Sequence, residues 1–272
     1  MTVHTGYLQV EVGNKNGKSV ITNSFFDGVF KITRPTYGPD NLPLLTLIHV
    51  GGGYVDGDSY LTEVVVNDAA SLALTTQAST KVYKSPRFGV TQTMDFFLKE
   101  NSELHVKQDP LILYRDASFK QFTNVYMNSS ALFTYCDIMT PGWSVDGQPF
   151  LYKKLASQMK IYVDSELKVF DHLLLEPDEQ IQSLMNLEGF THIGTMFVIH
   201  QTITEAFITD VRELLLTEST PSRWGISKLS VPGLVLRVLA FRTADIEKIF
   251  SRCEHYFRKT LQQKEGIEWR KC

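Results

Sequence analysis

Tyr60-Leu-Thr-Glu-Val-Val-Val66, then Asn67-Asp68, then Ser71-Leu-Ala-Leu-Thr-Thr76, decides how the chain reads. Tyr60, Thr62, Val64 and Val66 fall on one side of an extended segment and Leu61, Glu63 and Val65 on the other. That is the period-2 pattern of a half-buried strand. Asn67-Asp68 is a turn signal, and Ser71–Thr76 resumes as a second strand of small, branched residues. The same pattern recurs on either side. Leu8, Val10 and Val12 alternate with Tyr7, Gln9 and Glu11, and Asn14-Lys15-Asn16-Gly17 then turns the chain. Met159, Ile161 and Val163 alternate with Gln158, Lys160 and Tyr162. Short strands about 8–12 residues apart indicate a sandwich, a barrel or a solenoid. No fixed-period repeat is present, so a solenoid would be irregular.

Helical periodicity is confined to the last third. After Thr204, placed as an N-cap, Phe207, Ile208, Val211, Leu214 and Leu215 form one stripe. After Thr243, Ile246, Ile249, Phe250, Cys253 and Phe257 form another, over roughly 244–262. Asp245 and Glu247 lie at its N-terminal end, Arg258 and Lys259 at its C-terminal end. Val231–Phe241 between the two reads as a strand. No Pro/Gly/Ser-rich linker divides the sequence. The expectation is a single domain, 1–272, mainly β, an irregular β-helical or stacked-sheet architecture with two helices in its C-terminal part.

The composition narrows the function. The chain has 272 residues, 43% hydrophobic and 21% charged, with 27 Lys+Arg against 30 Asp+Glu and a net charge of −3. A near-neutral balance of this kind offers no general attraction to nucleic acid or to an anionic membrane. No apolar run approaches the roughly 20 residues of a membrane span. Met1-Thr2-Val3-His4-Thr5-Gly6 shows no secretory signal. Cys136, Cys253 and Cys272 are sparse and far apart, without metal-ligand spacing, which fits a reducing compartment. A cytoplasmic location is expected.

Several near-motifs fail. Gly13–Ser19 approaches a phosphate-binding loop, but the first required glycine position is Val12. Gly51–Asp56 approaches a dinucleotide fingerprint, but its sixth position is Asp and no amphipathic helix follows. Asp56–Tyr60 begins like a calcium loop and fails at Tyr60. Cys253 and His255 are two apart on a helix and do not face each other. Asp56 and Asp58 leave a small hydrolase with an acid–base pair as one alternative, and a generic β-rich interaction module as another.

Two segments remain: His49-Val-Gly-Gly-Gly-Tyr-Val-Asp-Gly-Asp58 and Ala73-Leu-Thr-Thr-Gln-Ala-Ser-Thr-Lys81-Val-Tyr83-Lys84-Ser85. The first is a tight glycine turn whose residues permit positive φ and close backbone approach. Asp58 could cap that turn. The second is a Thr/Ser-rich strand suited to close packing or a polar interior. Together they resemble the urease accessory protein UreD (UreH) family, whose pattern falls on His49, Gly52, Gly53, Gly57 and Asp58, then Leu74, Thr76, Lys81, Tyr83, Lys84 and Ser85. Weaker likeness covers the rest of the chain, through Asp137, Asp164, Gly194-Thr195 and Trp269. Departures are Asp56 for a glycine, Ser79 for an alanine, Gly147-Gln148 for a Gly-Glu pair, and the tail Glu268-Trp269-Arg270.

The resemblance implies a maturation scaffold, not an enzyme. Such a protein binds apo-urease and UreF-like and UreG-like accessory proteins, and assists nickel insertion into urease. It implies no tightly bound cofactor, transient nickel only, and a tunnel for the metal. The metal-passage candidates are Asp58 and His49 in the motif, with Asp137, Glu166 and Asp171 beyond it. Nickel accepts imidazole, carboxylate and water, and a few weak ligands attract the ion and release it again. The structural-motif residues are Gly52, Gly53, Gly57, Lys81, Tyr83 and Ser85.

Overall fold

In a computed structural model, residues 4–38, 40–177, 181 and 187–269 are described. The strands are β1 (Gly6–Lys15), β2 (Lys18–Gly28), β3 (Phe30–Ile32), β4 (Thr36–Tyr37), β5 (Pro43–His49), β6 (Ser59–Val66), β7 (Ser71–Thr76), β8 (Thr80–Val82) and β9 (Val90–Leu98). They continue as β10 (Glu103–Lys107), β11 (Leu111–Leu113), β12 (Ser118–Met127), β13 (Leu132–Met139), β14 (Lys154–Val163), β15 (Glu166–Leu175) and β16 (His192–Ile199). Helix α1 (Glu205–Leu216), β17 (Ser222–Lys228), β18 (Gly233–Ala240) and helix α2 (Thr243–Phe257) complete the fold. A π-helical turn, Arg258–Gln262, continues α2.

The chain winds as a β-solenoid of about four turns. One wall stacks β1, β6, β9, β12 and β14 in parallel, closed at its two edges by antiparallel β2 and β15. The opposite wall stacks β5, β7, β10 and β13 in parallel and then extends antiparallel through β16, β18 and β17. Short β8 and β11, with bridges at Tyr54–Val82 and Tyr114–Trp143, form the narrow third side. On its outer surface Tyr83 meets Tyr114 edge to face and Tyr114 meets Trp143 at a tilt, at 4.8 and 4.7 Å between ring centroids.

The two large walls differ in sequence because they differ in what covers them. Along β6 burial alternates strictly, with Tyr60, Thr62, Val64 and Val66 inside and Leu61, Glu63 and Val65 toward solvent. Strand β16 is buried almost continuously, because α1 and α2 cover its outer side. A strand covered on both faces is apolar throughout. Gly194 makes this packing tight: a Cβ there would lie 2.3 Å from Ile246 Cγ2 and 2.8 Å from Phe250 Cζ.

Both helical stripes are buried as their periodicity requires. Thr204 Oγ1 accepts the Phe207 N–H at 3.2 Å, an N-cap worth about 1 kcal/mol. In α2 the first turn is held instead by Asp245, which receives two hydrogen bonds from Arg242 at 2.9 and 3.0 Å. The strand expected over 231–241 runs from Gly233 to Ala240. Asp137 lies within β13 and Gly194-Thr195 within β16.

Past the π-helical turn the chain folds back over the early strands. Ile267 and Trp269 pack on Leu42, Leu44 and Ala73. Glu254 accepts both the Ile267 N–H and the Trp269 indole N–H, at 2.8 and 2.7 Å. Buried Arg258 donates to Asp40 and to the Glu265 carbonyl. Cys136 and Cys253 are both buried in the apolar layer under α2. Cys272 lies outside the described residues.

Candidate functional site: a polar seam through the solenoid

The two motif segments form one structure. Tyr54 N–H donates to the Lys81 carbonyl at 2.8 Å, and Tyr83 N–H to the Tyr54 carbonyl at 2.9 Å. The Tyr83 hydroxyl donates to the Gly52 carbonyl at 2.8 Å. Ser85, buried, donates its hydroxyl to the Tyr83 carbonyl at 3.1 Å. Gly53 needs to be glycine on two counts. Its φ is +142°, and a Cβ there would meet the Lys81 carbonyl oxygen at 2.7 Å. Gly51 and Gly57 also have positive φ, at +154° and +89°, whereas Gly52 does not. The expected demand for positive φ therefore falls on Gly51, Gly53 and Gly57; at Gly52 a Cβ would meet only the Tyr83 hydroxyl, at 3.4 Å.

The two motif aspartates serve different turns. Asp56 accepts the N–H groups of Arg87, Phe88 and Gly89 at 2.8–3.0 Å, which hold its carboxyl below the usual range. Asp58 accepts the Val55 N–H and the Tyr60 hydroxyl, both at 2.7 Å, and the Thr5 hydroxyl at 3.1 Å. It closes the turn that precedes it, bonding a backbone N–H three residues back. His49 Nε2 stands 3.5 Å from the same Tyr60 hydroxyl. Desolvation lowers the pKa of the His49 imidazole and favours its neutral form. His49, Gly51–Gly53, Thr76 and Lys81 line an open cavity of about 400 Å³.

Behind this mouth the interior is polar along one line. On one wall, pairing registers Tyr60 with Gln92, Gln92 with Gln121 and Gln121 with Ser157. On the opposite wall Asp137 is registered with Thr195 and Thr195 with Arg237, in line with Thr76 and Gln108 just past the paired ends of β7 and β10. On the second wall the next row is Leu74, Val106, Tyr135 and Phe197, whereas on the first it alternates Thr62 and Thr123 with Met94 and Met159. The polar rows meet across the interior. Tyr54 donates to Gln92 Oε1 at 3.0 Å, and Gln121 Nε2 lies 3.0 Å from the Tyr135 hydroxyl and 3.4 Å from Asp137 Oδ2. Two small cavities of about 20 and 10 Å³ lie along this line, sharing Thr80, Gln92 and Gln108; each has room for about one water.

Asp137 is the carboxyl deepest inside. Burial first, then the neighbouring Asp171, pushes its pKa up to about 7; the Arg237 guanidinium opposes that rise. Its Oδ1 is buried without a hydrogen-bond partner. Asp171, on β15, is paired with Arg237. Arg237 also lines a groove of about 610 Å³, together with Arg223, Glu176 and Leu173. Of the five predicted metal-passage residues, His49 and Asp58 thus lie together at one end, and Asp137 and Asp171 together toward the other. Glu166 lies apart, exposed at the start of β15 and paired with Lys168. Gln92, Gln108, Gln121 and Arg237 were not singled out by the sequence. Their signal is a polar residue on the buried parity of an otherwise apolar strand, as Gln92 is between Val90 and Met94.

The chain is thus a solenoid with a polar line through its core and with its motif carboxylates committed to turns. The UreD urease accessory protein family model matches residues 4–270. The chain is 42% identical over 267 residues to the urease accessory protein UreD of Bacillus sp. (strain TB-90), covering 98% of each. It is 36% identical over 260 residues to UreD of Lachnoclostridium phytofermentans, covering 95% of each. To UreD of Staphylococcus epidermidis it is 35% identical over 265 residues, covering 96% of this chain and 95% of that one. The chain belongs to the UreD family of urease accessory proteins. Its role is in urease maturation, as a scaffold rather than a catalyst. An Asp56/Asp58 acid–base pair is set aside on the same ground, and the two carboxylates bind different turns. No helix among the described residues is long and apolar enough to cross a membrane.

Proposed function

We propose that this protein, in the cytoplasm, docks on apo-urease together with UreF-like and UreG-like partners, and that its polar seam passes Ni²⁺ toward the urease site. The observation that carries the reading is the continuous line from His49 to Asp137 and Asp171. Neutral imidazole, amide and hydroxyl oxygens and two carboxylates are weak, exchangeable ligands for a borderline cation. An ion held by several thiolates would stay; one handed between single oxygens moves on. Asp137 provides the strongest step, since its unpartnered Oδ1 is free to accept a cation. Its proton leaves when a dication arrives, because nearby positive charge favours the ionised carboxyl. The ion is cargo here, not a resident cofactor, and the one-water cavities require that it shed hydration or that side chains shift as it advances.

The test is nickel per urease and activation rate with Asp137→Asn in the intact accessory complex. Asn keeps the shape and removes the charge. A fall of tenfold or more in activation, with the complex still assembling, is expected. Wild-type nickel content in urease matured with this variant would overturn passage through the seam.

A further inference from the structure

Arg237 is the one cationic side chain on the polar seam among the described residues, and it stands where the seam reaches the groove. Its strand β18 carries Val235 and Leu239 on the same face, both packed against the solenoid core. A guanidinium in that company carries a desolvation cost that only a partner offsets. The partner is Asp171, from the edge strand of the other wall. Both ends of the pair are partly accessible, at 39% and 29% exposure, so the contact can open toward the groove. Asp137, with Oδ1 buried and unpartnered, lies in the field of both groups.

We propose that Arg237 is a cation valve: by occupying Asp171 and facing Asp137, it keeps this end of the seam closed to a divalent ion until its side chain swings into the groove. This deepens the passage reading and rests on it. The physical content is competition. Asp137 and Asp171 lie close enough to feel each other's charge, and two neighbouring carboxylates attract a dication. The guanidinium already neutralises one of them and adds a positive charge beside the other. A dication must displace Arg237 to use both oxygens, so occupancy stays low while the ion pair is closed. Arg suits the role better than Lys because it keeps its charge even where burial would strip a lysine of its proton. The residue thereby acts on specificity as well as on timing, since a monovalent ion gains too little from one carboxylate to open the pair. Arg237 is a positioning residue: it acts on the ion through the carboxylate that it holds.

The experiment is equilibrium binding of Ni²⁺ to the purified full chain at pH 8. Arg237→Gln is expected to bind Ni²⁺ at least tenfold more tightly than wild type. Arg237→Lys, which keeps a positive charge, is expected to stay within about threefold of wild type. Arg237→Gln/Asp171→Asn is expected to lose the gain, because the second carboxylate is gone. Unchanged Ni²⁺ affinity in Arg237→Gln, with a native unfolding transition, overturns the valve. So does an equal gain in Arg237→Lys. Should Arg237→Gln fail to fold, the exchange Asp171→Arg/Arg237→Asp restores the pair, with the cation now on β15. It is expected to bind as weakly as wild type, and tight binding overturns the proposal. The passage reading is judged separately by Asp137→Asn in urease activation. A valve that fails while Asp137→Asn still blocks activation leaves passage standing, and loss of both effects removes both.

Discussion

The Tyr60 hydroxyl donates to Asp58 Oδ2 at 2.7 Å, joining the seam's first inward residue to the last residue of the glycine turn. The Tyr60 ring stacks on Tyr54 at 3.8 Å between centroids, so one aromatic pair supports both the turn and the mouth. This hydrogen bond and its neighbours decide what a change at Asp58 does.

Asp58→Ala removes the acceptor for Val55 N–H, for Tyr60 and for Thr5 together. Stranding partly buried donors costs about 1–3 kcal/mol. Asp58→Asn keeps one carbonyl oxygen and is expected to lose less than half as much. Urea unfolding of both variants checks the order. Equal losses would show that charge, rather than acceptor geometry, holds the turn.

At the glycine turn, Gly53→Ala is expected to destabilise by at least about 1–3 kcal/mol, from its φ of +142° and the 2.7 Å approach of the Lys81 carbonyl. Gly52→Ala is expected to stay within about 0.5 kcal/mol, the range of a change without a named defect. Thermal melting of the two variants separates them, although the residues are adjacent and both belong to the motif.

Asp137 gives the protein a pH-dependent stability with a definite sign. Its folded pKa, about 7, lies above the unfolded carboxyl value. Between those values the folded chain holds a proton that the unfolded chain does not. Stability from this group is present below the unfolded pKa and is lost as pH rises through about 7, up to about 4 kcal/mol in all. Asp137→Asn should flatten that decline. Urea unfolding from pH 5 to pH 8.5 measures it, and parallel curves for wild type and variant would contradict the buried, neutral carboxyl.

Gly194→Ala is expected to lift α2 from the sheet at a cost of about 1–3 kcal/mol, the usual range for overpacking. Ile246→Ala in the same chain should recover part of that loss, since Ile246 Cγ2 is the atom that would clash. A double-mutant cycle reads the coupling. Strict additivity would place the strain elsewhere.

The sequence made the strands and helices legible where burial is one-sided. Alternation in β6 and the stripes of α1 and α2 are direct consequences of one wet and one dry face. The glycine turn was legible as a turn, but which glycine needs which φ was not, because that depends on how Lys81 passes beneath Gly53. The seam was least legible. Gln92, Gln121 and Arg237 each sit on the buried parity of a strand, which alone reads as a local exception. They become a line only through the register of strands about 30 residues apart, and nothing local fixes that register. Asp137 and Asp171 drew attention as carboxylates; Arg237, which separates them electrically, did not.

The fold-back of residues 264–269 over the early strands has a consequence for how the protein is made. In a solenoid each coil touches only its neighbours, so folding would otherwise spread coil by coil as the chain leaves the ribosome. Here Trp269 and Ile267 cover Leu42, Leu44 and Ala73, and Arg258 reaches Asp40 across 218 residues of sequence. The first coils therefore keep an uncovered apolar flank until residues 258–269, made more than 180 residues later, are in place to seal it. What would be a modular stack becomes a unit whose first coils are finished only by a much later segment, with the newborn chain exposed to aggregation until that segment docks.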